Sequence, residues 1–423
     1  MILMFVSFMV MVVVGVPIAF ALIGATLLAI AWEGMSPIIV SQMIVEGLLP
    51  FPILAIPLFY MVGLAANQGG MVDTLIALSM RFIGRVKGSL GYVNILSSMF
   101  FGGVSGSSAA DTASIGAVMI PQMVKQRYPV PVAVAITACS STMGNIIPPS
   151  ILLVVYGSFG NLSVAALFLG GIIPGIMLGL GQMALWRLLV SRYDLDETVG
   201  VTGMVDTNNR SLLQAILLMA VPLIILSGIV FGVFTATESA AIALLYIFLL
   251  HITFRTMSLR DYVRLFMDSG RFVALPLIMT AAAACFAWMF AYYDAPAEVA
   301  QYVSGVADSP LAAILIVVGV FLVIGMVIDT LPAIIMFLPI IQALAAANGI
   351  DQVHMGVIVV LTCAIGLVTP PFGVCLLIAT RISNASVLKV LPMTLLFLTV
   401  SLLVIALCIL FPQLILFLPS LLL

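Results

Sequence analysis

The sequence predicts an all-α polytopic membrane protein, and three observations support this fold class. Hydrophobic residues make up 64% of the 423 residues and charged residues only 7%, whereas a soluble domain carries about a quarter charged residues. Apolar runs long enough to cross about 30 Å of hydrocarbon recur from one end of the chain to the other. Because these runs lack the alternation of membrane barrel strands, the predicted spans are helices.

The first of these spans covers residues 1–32, "MILMFVSFMVMVVVGVPIAFALIGATLLAIAW". It lacks a basic n-region and is too long for the apolar core of a signal peptide, so we expect the mature protein to retain it. Gly15 and Pro17 interrupt its apolar residues. The sequence therefore predicts one span that is kinked near these two residues.

The basic residues divide the connections between spans into two sets. The 14 lysines and arginines fall into five clusters, namely Arg81 to Lys87, Lys125 with Arg127, Arg187 to Arg210, Arg255 to Arg271, and Arg381 with Lys389. The positive-inside rule predicts that these clusters face the cytoplasm. The other connections lack Lys and Arg, so we expect them to face outward. The net charge of −2 gives no indication about nucleic acid, which is not among the expected partners.

Two polar interruptions divide apolar segments that are otherwise long enough to span. Residues 88–124 have cytoplasmic charge on both sides and "FGGVSGSSAADTASIGAVM" (101–119) in the middle. Each apolar arm then has about 15 residues, or about 22 Å of helix, too little to cross the bilayer. Residues 310–350 repeat this pattern from the other face, with "GMVIDTLP" (325–332) in the middle. The sequence thus predicts two re-entrant helical hairpins that enter from opposite sides.

An internal repeat relates the two halves of the chain. The two Pro-Pro pairs, at 148–149 and 370–371, lie 222 positions apart, and the same offset relates Gly103 to Gly325 and Gly144 to Gly366. Because the two hairpins are predicted on opposite faces, the repeat is predicted to be inverted. The predicted organisation is a first repeat at 1–190 with a broken helix at 131–160, a cytoplasmic linker at 191–211, and a second repeat at 212–423 with a broken helix at 353–380.

The hairpin tips and the Pro-Pro pairs together offer oxygen ligands. A Pro-Pro pair inside a span leaves nearby carbonyls without helical partners, here around Gly144, Asn145, Gly366 and Thr369. Serine hydroxyls and an aspartate provide the hard oxygens that a sodium ion accepts. Asp111 and Asp329 are the carboxylates predicted deep inside membrane segments, where each costs about 2.5–3.5 kcal/mol. These patterns predict cation binding at both hairpin tips.

Other interpretations of these residues remain open from the sequence alone. The small residues of the first tip also suit close helix packing, and Asp111 also suits helix capping. A serine protease with Ser105 as nucleophile needs a histidine at the same depth, whereas His251 and His354 are predicted to be interfacial residues at span ends. Replacement of His251 by alanine is accordingly expected to be nearly silent for transport.

Two further alternatives concern the whole molecule. An intramembrane aspartyl protease would use Asp111 and Asp329 as a pair that shares one proton. A passive channel or a stand-alone carrier would use the hairpin tips as pore-lining loops. Two broken-helix tips in an inverted repeat favour alternating access over an open pore.

Six stretches of the chain resemble the large membrane subunit of tripartite ATP-independent periplasmic (TRAP) transporters. They are "IPLFYMVGLAANQGG" (56–70), "GGVSGSSAADTASIG" (102–116), "GNIIPPS" (144–150), "GGIIPG" (170–175), "GVFTATESAA" (232–241) and "GLVTPPFG" (366–373). They extend over nearly the whole chain in the order of the family. The "TATE" stretch departs from the family, in which a proline often precedes the glutamate.

The resemblance implies a secondary active transporter of the bacterial inner membrane that moves small organic anions inward on a sodium gradient. It implies an elevator mechanism, in which a domain with both hairpins and both broken helices slides against the outer helices. Two partners are implied, a small four-helix membrane subunit and a periplasmic substrate-binding protein. No nucleotide-binding motif of the GxxxxGK[ST] type occurs, as expected for a transporter that does not use ATP.

The resemblance also implies roles for individual residues. Sodium in the first half would bind Ser105, Ser107, Asp111 and carbonyls near Gly103 and Gly144. Sodium in the second half would bind Asp329, Thr330 and carbonyls near Gly325 and Gly366. The solute, a carboxylate such as sialic acid or a C4-dicarboxylate, would contact Ser108, Asn145 and Thr369 near helix termini, whose dipoles favour anions.

Overall fold

The structure is a computed structural model that describes residues 1–84, 86–193, 195, 209–307 and 309–423. Within these residues every regular element is a helix, as the sequence predicts. The α-helices are α1 (Ile2–Val13), α2 (Ile18–Trp32), α3 (Ile38–Glu46), α4 (Ala55–Asn67), α5 (Met71–Ile83), α6 (Ser89–Ser105), α7 (Ser108–Lys125), α8 (Val130–Ser141), α9 (Ile151–Phe159), α10 (Val164–Leu189), α11 (Asn209–Val230), α12 (Ala236–Phe254), α13 (Leu259–Tyr292), α14 (Ala295–Val306), α15 (Pro310–Val327), α16 (Thr330–Ala347), α17 (Gln352–Gly366), α18 (Val374–Ser383), α19 (Val387–Leu410) and α20 (Gln413–Leu422). Short 3-10 helices cover Phe51–Leu54, Gln68–Gly70, Thr142–Asn145 and Val190–Arg192. Most of the predicted linker, residues 191–211, lies outside the described residues.

Several helices have the length and composition of membrane spans. Among the described residues six pass this test: Val164–Arg192, Leu212–Val230, Ala236–Phe254, Leu259–Tyr292, Thr330–Ala347 and Val387–Leu410. A seventh span is possible if Ile38–Glu46 and Phe51–Asn67, which meet at 65°, count as one bent segment. Large apolar side chains such as Leu223 and Leu403 are exposed on these helices, as expected where lipid replaces water. The chain is therefore a multi-pass membrane protein.

The prediction of a single kinked span at residues 1–32 is wrong. The structure has two helices here, α1 and α2, which end and begin on either side of Gly15 and Pro17. Gly15 adopts a φ of 92°, which favours glycine, and Pro17 cannot continue the hydrogen-bond ladder. The two helices pack side by side, since a Cβ on Gly24 would lie 3.0 Å from Met11 Sδ.

Helices α6 and α7 are joined by two residues, Gly106 and Ser107, at the place where the sequence predicts the first hairpin tip. Gly106 ends α6 with a φ of 62°, and its N–H donates to Gly102 O at 3.0 Å. A Cβ at Gly106 would lie 2.6 Å from Pro149 O, so this turn requires glycine both for its φ and for space. The tip therefore packs against the backbone beside the first Pro-Pro pair.

Helices α15 and α16 are likewise joined by two residues, Ile328 and Asp329. The helix bounds follow the offset of 222 residues seen in the sequence. It relates the end of α6 to the end of α15, both ends of α7 to both ends of α16, and the start of α8 to the start of α17. The same backbone plan thus occurs twice in the chain.

Each Pro-Pro pair separates two helices. Residues 146–150 follow α8 and its 3-10 extension, and Ser150 caps α9 by accepting from Leu153 N at 3.3 Å. Residues 367–373 separate α17 from α18, and Gly373 begins α18 in the left-handed region. Both Pro-Pro bonds are cis. The predicted interruptions of these two helices therefore occur where the sequence predicts them.

Candidate functional site

The first hairpin tip holds a buried carboxylate. Asp111 lies in the first turn of α7 and has no exposed surface. The Ser105 hydroxyl, at the end of α6, donates to Asp111 Oδ1. The Ser107 N–H in turn donates to Ser105 Oγ at 3.2 Å, which fixes the orientation of that hydroxyl. The two-residue turn between α6 and α7 thus brings the end of one helix onto the start of the next.

The second oxygen of Asp111 faces a helix break. Oδ2 is buried, and among the described residues it has no hydrogen-bond partner. It lies against Gly144, in the 3-10 turn after α8, where a Cβ would overlap it. A Cβ on Gly102 would also lie 3.0 Å from Gly144 Cα and 3.3 Å from Oδ2. Only glycines leave room for this carboxylate between α6 and α8.

Gly103, the glycine that the sequence points to, has a different neighbour. A Cβ there would lie 3.4 Å from Pro148 O, so its α-carbon faces the Pro-Pro segment. Gly102 is the glycine of α6 that approaches Asp111, although the repeat offset selects Gly103. The contact with Asp111 thus lies one residue before the position that the repeat offset selects. The spacing between Gly103 and Gly325 in the sequence cannot predict such a difference, because it depends on how α6 packs.

The start of α7 is linked to the first helix break by hydrogen bonds. The Ser108 N–H donates to Asn145 Oδ1 at 3.0 Å, and Ser108 Oγ donates to Thr142 O at 3.2 Å. Asn145 O accepts from Ser150 Oγ at 2.6 Å. The Asn145 side chain therefore contacts the backbone of Ser108, and both residues are predicted to contact solute.

In the second half, Asp329 and Thr330 form the hairpin tip. Asp329 Oδ1 accepts from Thr330 N at 2.8 Å and from Thr330 Oγ1 at 3.2 Å, which caps α16. Unlike Asp111, Asp329 is exposed. Gly325 and Gly366 are in backbone contact, because a Cβ on Gly366 would lie 2.6 Å from Gly325 O. Each half thus pairs a glycine before the hairpin tip with a glycine at the helix break.

The two tips face one small cavity of about 80 Å³. Its lining includes Gly106, Ser107, Ser108 and Asn145 from the first half, and Asp329, Thr330, Leu367 and Val374 from the second half. Thr369 is not among the described residues that line this cavity. Its hydroxyl donates to Ile365 O at 2.8 Å. The structure therefore brings five of the twelve predicted site residues around one space, namely Ser107, Ser108, Asn145, Asp329 and Thr330.

Two further helices complete this cavity with residues that the sequence analysis left without a role. Tyr60 of α4 lines it together with Ser107 and Asp329. Pro276 of α13 lines it as well. Tyr60 belongs to one of the six stretches that carry the family resemblance, but its position near the tips depends on packing between distant segments.

Both histidines lie near helix ends, as predicted, but they are buried inside the protein. His251 has no exposed surface and His354 is 3% exposed. His251 bonds through Nε2 to Ala65 O at 2.9 Å and through Nδ1 to Thr256 Oγ1 at 2.6 Å, and His354 bonds to Cys408 O at 2.9 Å. Buried imidazole rings with such hydrogen-bond partners connect neighbouring helices. The position of a histidine along its span does not indicate whether it is buried in this way.

The described contacts offer neither of the two protease arrangements. Both histidines contact groups other than Ser105, so the described hydrogen bonds include no serine-histidine pair. The two aspartates have separate partners, Ser105 for Asp111 and Thr330 for Asp329, and no hydrogen bond joins them in the described part of the chain. Asp329 lines the cavity, whereas Asp111 is buried against Gly144 at the first helix break. Polar residues beside interrupted helices are typical of transporters.

Residues 5–414 match the family described as "Tripartite ATP-independent periplasmic transporter, DctM component". The chain belongs to this family. Among characterised DctM relatives, the sialic acid TRAP transporter large permease protein SiaM of Vibrio cholerae is 32% identical over 413 residues, which are 96% of this chain and 95% of SiaM. The 2,3-diketo-L-gulonate TRAP transporter large permease protein YiaN of Escherichia coli is 32% identical and covers 85% of each chain.

A third DctM relative is the isethionate TRAP transporter permease protein DctMQ of Oleidesulfovibrio alaskensis. It is 34% identical over 89% of this chain, which match 59% of DctMQ. Solved structures with the same fold include YdaH of Alcanivorax borkumensis, with a TM-score of 0.60, 15% identity and 86% of each chain covered. MtrF of Neisseria gonorrhoeae has a TM-score of 0.58 and 13% identity over 87% of this chain and 82% of MtrF. This chain is therefore a TRAP large permease with a transporter fold.

Proposed function

We propose that this permease takes up a small organic anion across the bacterial inner membrane, driven by the sodium gradient. One observation carries the sodium proposal, namely the buried carboxylate of Asp111, whose Oδ2 has no donor among the described residues. A buried carboxylate is stable only when a cation, a proton or several donors compensate it. Ser105, Ser107 and a carbonyl near Gly103 or Gly144 would complete an oxygen shell for sodium.

A second sodium ion would bind at the other hairpin tip. Asp329 and Thr330 would provide side-chain oxygens, and the interrupted backbone near Gly325 and Gly366 would provide carbonyls. The close contact of these two glycines supports the proposal, because it brings the helix break of α17 against α15. Entry of each sodium ion on a potential of 100 mV supplies about 2.3 kcal/mol toward accumulation of the solute.

The solute would bind in the cavity between the two tips, where Ser108 and Asn145 meet. Thr369 would reach the solute once the helices around the cavity move apart. The start of α7 supports an anionic solute, because helix N-termini attract negative charge. Pockets for small molecules measure about 300–1,000 Å³. The cavity of about 80 Å³ is therefore too small for a sugar acid, and the tips or the outer helices must move apart.

We further propose that the two halves form an inverted repeat and move as an elevator. The recurrence of helix bounds at 222 residues supports the repeat, and the charge pattern of the sequence supports its inversion. The two re-entrant hairpins and both interrupted helices would form the moving domain. A small four-helix membrane subunit would extend the fixed domain, and a periplasmic substrate-binding protein would deliver the solute.

The test is uptake of labelled sialic acid, 2,3-diketo-L-gulonate and isethionate into proteoliposomes that contain this chain and its small subunit. Each solute is assayed with and without the matching binding protein, under a sodium gradient or with potassium in place of sodium. We expect uptake of one solute that needs both sodium and the binding protein. Uptake driven by a proton gradient alone would overturn the sodium proposal, and uptake indifferent to all gradients would favour a channel.

A further inference from the structure

Helix α13 (Leu259–Tyr292) is longer than a membrane is thick. Its 34 residues extend for about 51 Å, whereas the hydrocarbon core of a bilayer measures about 30 Å. Residues 272–292 have no charged side chain and are long enough to cross this core by themselves. Residues 259–271, the charged segment, carry every charge of the helix. The charged segment therefore lies at one membrane surface, and the positive-inside rule predicts the cytoplasmic one.

The charged segment packs along the end of a neighbouring helix. The rings of Tyr262 and Phe266 face the ring of Phe248, with centroids 5.3 Å and 6.1 Å away. Phe248 belongs to the last two turns of α12, a helix with the length and composition of a membrane span. The same face of the segment buries Leu265 and Ser269. These contacts hold the segment at the membrane surface, beside the end of a span.

Three arginines of the charged segment form one stripe along the helix. Arg264 follows Arg260 by four residues and Arg271 follows it by eleven, so a period of 3.6 residues places all three on one exposed face. Among the described residues, the ion pair of this helix joins Arg271 to Asp268 at 3.9 Å. Asp261, the other carboxylate of the segment, caps the start of the helix. In the described part of the chain, Arg260 and Arg264 therefore have no ion pair.

An exposed apolar face lies beside this arginine stripe. It consists of Leu259, Val263 and Met267, which are spaced by four residues, and each has more than half of its surface exposed. Large apolar side chains in contact with water are unfavourable, so this face requires a cover. Basic residues on one face and large apolar residues on the next are typical of helices that lie in the headgroup layer of a membrane.

We propose that the charged segment of α13 binds an anionic phospholipid at the cytoplasmic surface of the membrane. The lipid phosphate accepts hydrogen bonds from Arg260 and Arg264, because guanidinium groups match the geometry of phosphate oxygens. The acyl chains cover Leu259 and Val263. Clusters of four or more basic residues beside a span attract anionic lipids, and Arg255, in the preceding turn, brings this cluster to four. The inference goes beyond the proposed function, because it involves neither sodium nor solute.

Native mass spectrometry of the purified full chain tests this site. The chain is titrated in mild detergent with phosphatidylglycerol or phosphatidylcholine, and the dissociation constant of the first bound lipid is measured. We expect the wild type to prefer phosphatidylglycerol. Each arginine near anionic headgroups contributes about fivefold, so Arg260→Gln combined with Arg264→Gln should weaken phosphatidylglycerol binding by about 25-fold. Arg260→Lys combined with Arg264→Lys retains both charges and should retain most of the preference.

Two matched variants separate this site from a general attraction by charge. Arg381→Gln combined with Lys389→Gln removes two exposed cations from another basic cluster and should leave phosphatidylglycerol binding unchanged. Asp268→Asn releases Arg271 from its ion pair and removes a negative charge near the stripe. It should strengthen phosphatidylglycerol binding by about two- to fivefold, a gain that misfolding cannot produce.

Equal losses of phosphatidylglycerol binding in the two glutamine double variants would overturn the site, because total charge alone would then explain the attraction. Unchanged lipid preference in the folded Arg260→Gln, Arg264→Gln variant would overturn it too, and loss of the small subunit or of a second copy from that variant would then assign the face to a protein partner. Displacement of the lipid by inorganic phosphate would assign the arginines to a soluble anion. If that double variant fails to fold, the Asp268→Asn variant tests the site alone, and the absence of a gain overturns it.

Discussion

The two hairpin tips share a backbone plan but differ in where they carry their carboxylate. In the first, Asp111 lies one turn inside α7, is fully buried and contacts Ser105 and Gly144. In the second, Asp329 lies at the turn itself, is exposed and caps its own helix. At the repeat offset, Asp329 corresponds to Ser107 and Asp111 corresponds to Ala333.

This difference indicates that the repeat preserves backbone geometry more strictly than side-chain chemistry. Both halves keep a two-residue turn, a glycine contact and a Pro-Pro pair, because these features set how closely helices can approach. Under the proposed function, the buried tip would hold a dehydrated cation, and the exposed tip, which borders the cavity, would respond to solute. We therefore expect substitutions in the two halves to have unequal effects.

The largest expected effect is that of Gly366→Ala on folding. A Cβ there would lie 2.6 Å from backbone atoms of Gly325, which cannot rotate away. At Gly144 the new Cβ would meet the Asp111 side chain, which can rotate. Overpacking typically costs about 1–3 kcal/mol, so Gly366→Ala should unfold at a clearly lower temperature in detergent than Gly144→Ala. Gly319→Ala, which meets no atom within 4 Å, is the control, and equal melting of all three would contradict the expectation.

The largest expected effect on sodium-driven uptake is that of the two carboxylates. Removing one charge of a buried pair costs about 3–5 kcal/mol, so Asp111→Asn should raise the half-saturating sodium concentration by more than about 100-fold. Asp329→Asn should raise it by about tenfold, because an exposed carboxylate is already screened by water. Both variants should insert normally into the membrane. Normal sodium dependence of Asp329→Asn in proteoliposomes would exclude its predicted role.

A smaller effect is expected from the hydroxyl that contacts Asp111. A hydrogen bond to a charged group is worth about 1.5–3 kcal/mol, so Ser105→Ala should weaken sodium dependence by at least about tenfold. Ser98→Ala serves as the control. Ser98 lies two turns before Ser105 on α6, and its buried hydroxyl pairs with the Ser140 hydroxyl at 2.9 Å. If the two variants lose sodium affinity equally, the role of Ser105 is general packing rather than ligation.

The smallest effect on sodium dependence is expected from His251→Ala. The ring supports α4 at Ala65 O, so its loss should lower the free energy of unfolding by about 1–3 kcal/mol. The half-saturating sodium concentration should not change. Thermal unfolding and uptake are measured on the same preparation, and a changed sodium affinity with wild-type stability would assign His251 to the transport site.

Much of the fold could be predicted from the sequence because its signals are local. Apolar runs predict the helices, and the polar stretch around Asp111 predicts the turn at Gly106 and Ser107. The two Pro-Pro pairs predict the helix interruptions. Such features depend on residues that are close together in the chain, so each can be predicted from a single segment of the sequence.

The remaining features depend on contacts between distant segments. Tyr60 lines the same cavity as Ser107 only because α4 packs on α6. Gly102 rather than Gly103 approaches Asp111 because of how α6 packs on α8. The partner of His251 is a backbone carbonyl 186 positions away. A carbonyl has no sequence signature, so the burial of this histidine could not be predicted.

We propose that each hairpin tip binds one sodium ion, and thermal unfolding of the purified protein in sodium or potassium tests this most directly. A bound ion at 100 times its dissociation constant stabilises the folded state by about 2.7 kcal/mol. We predict sodium-specific stabilisation of the wild type, partial loss in Asp111→Asn and in Asp329→Asn, and complete loss in the double variant. Equal stability of the wild type in both salts, or full stabilisation of the double variant by sodium, would contradict the claim.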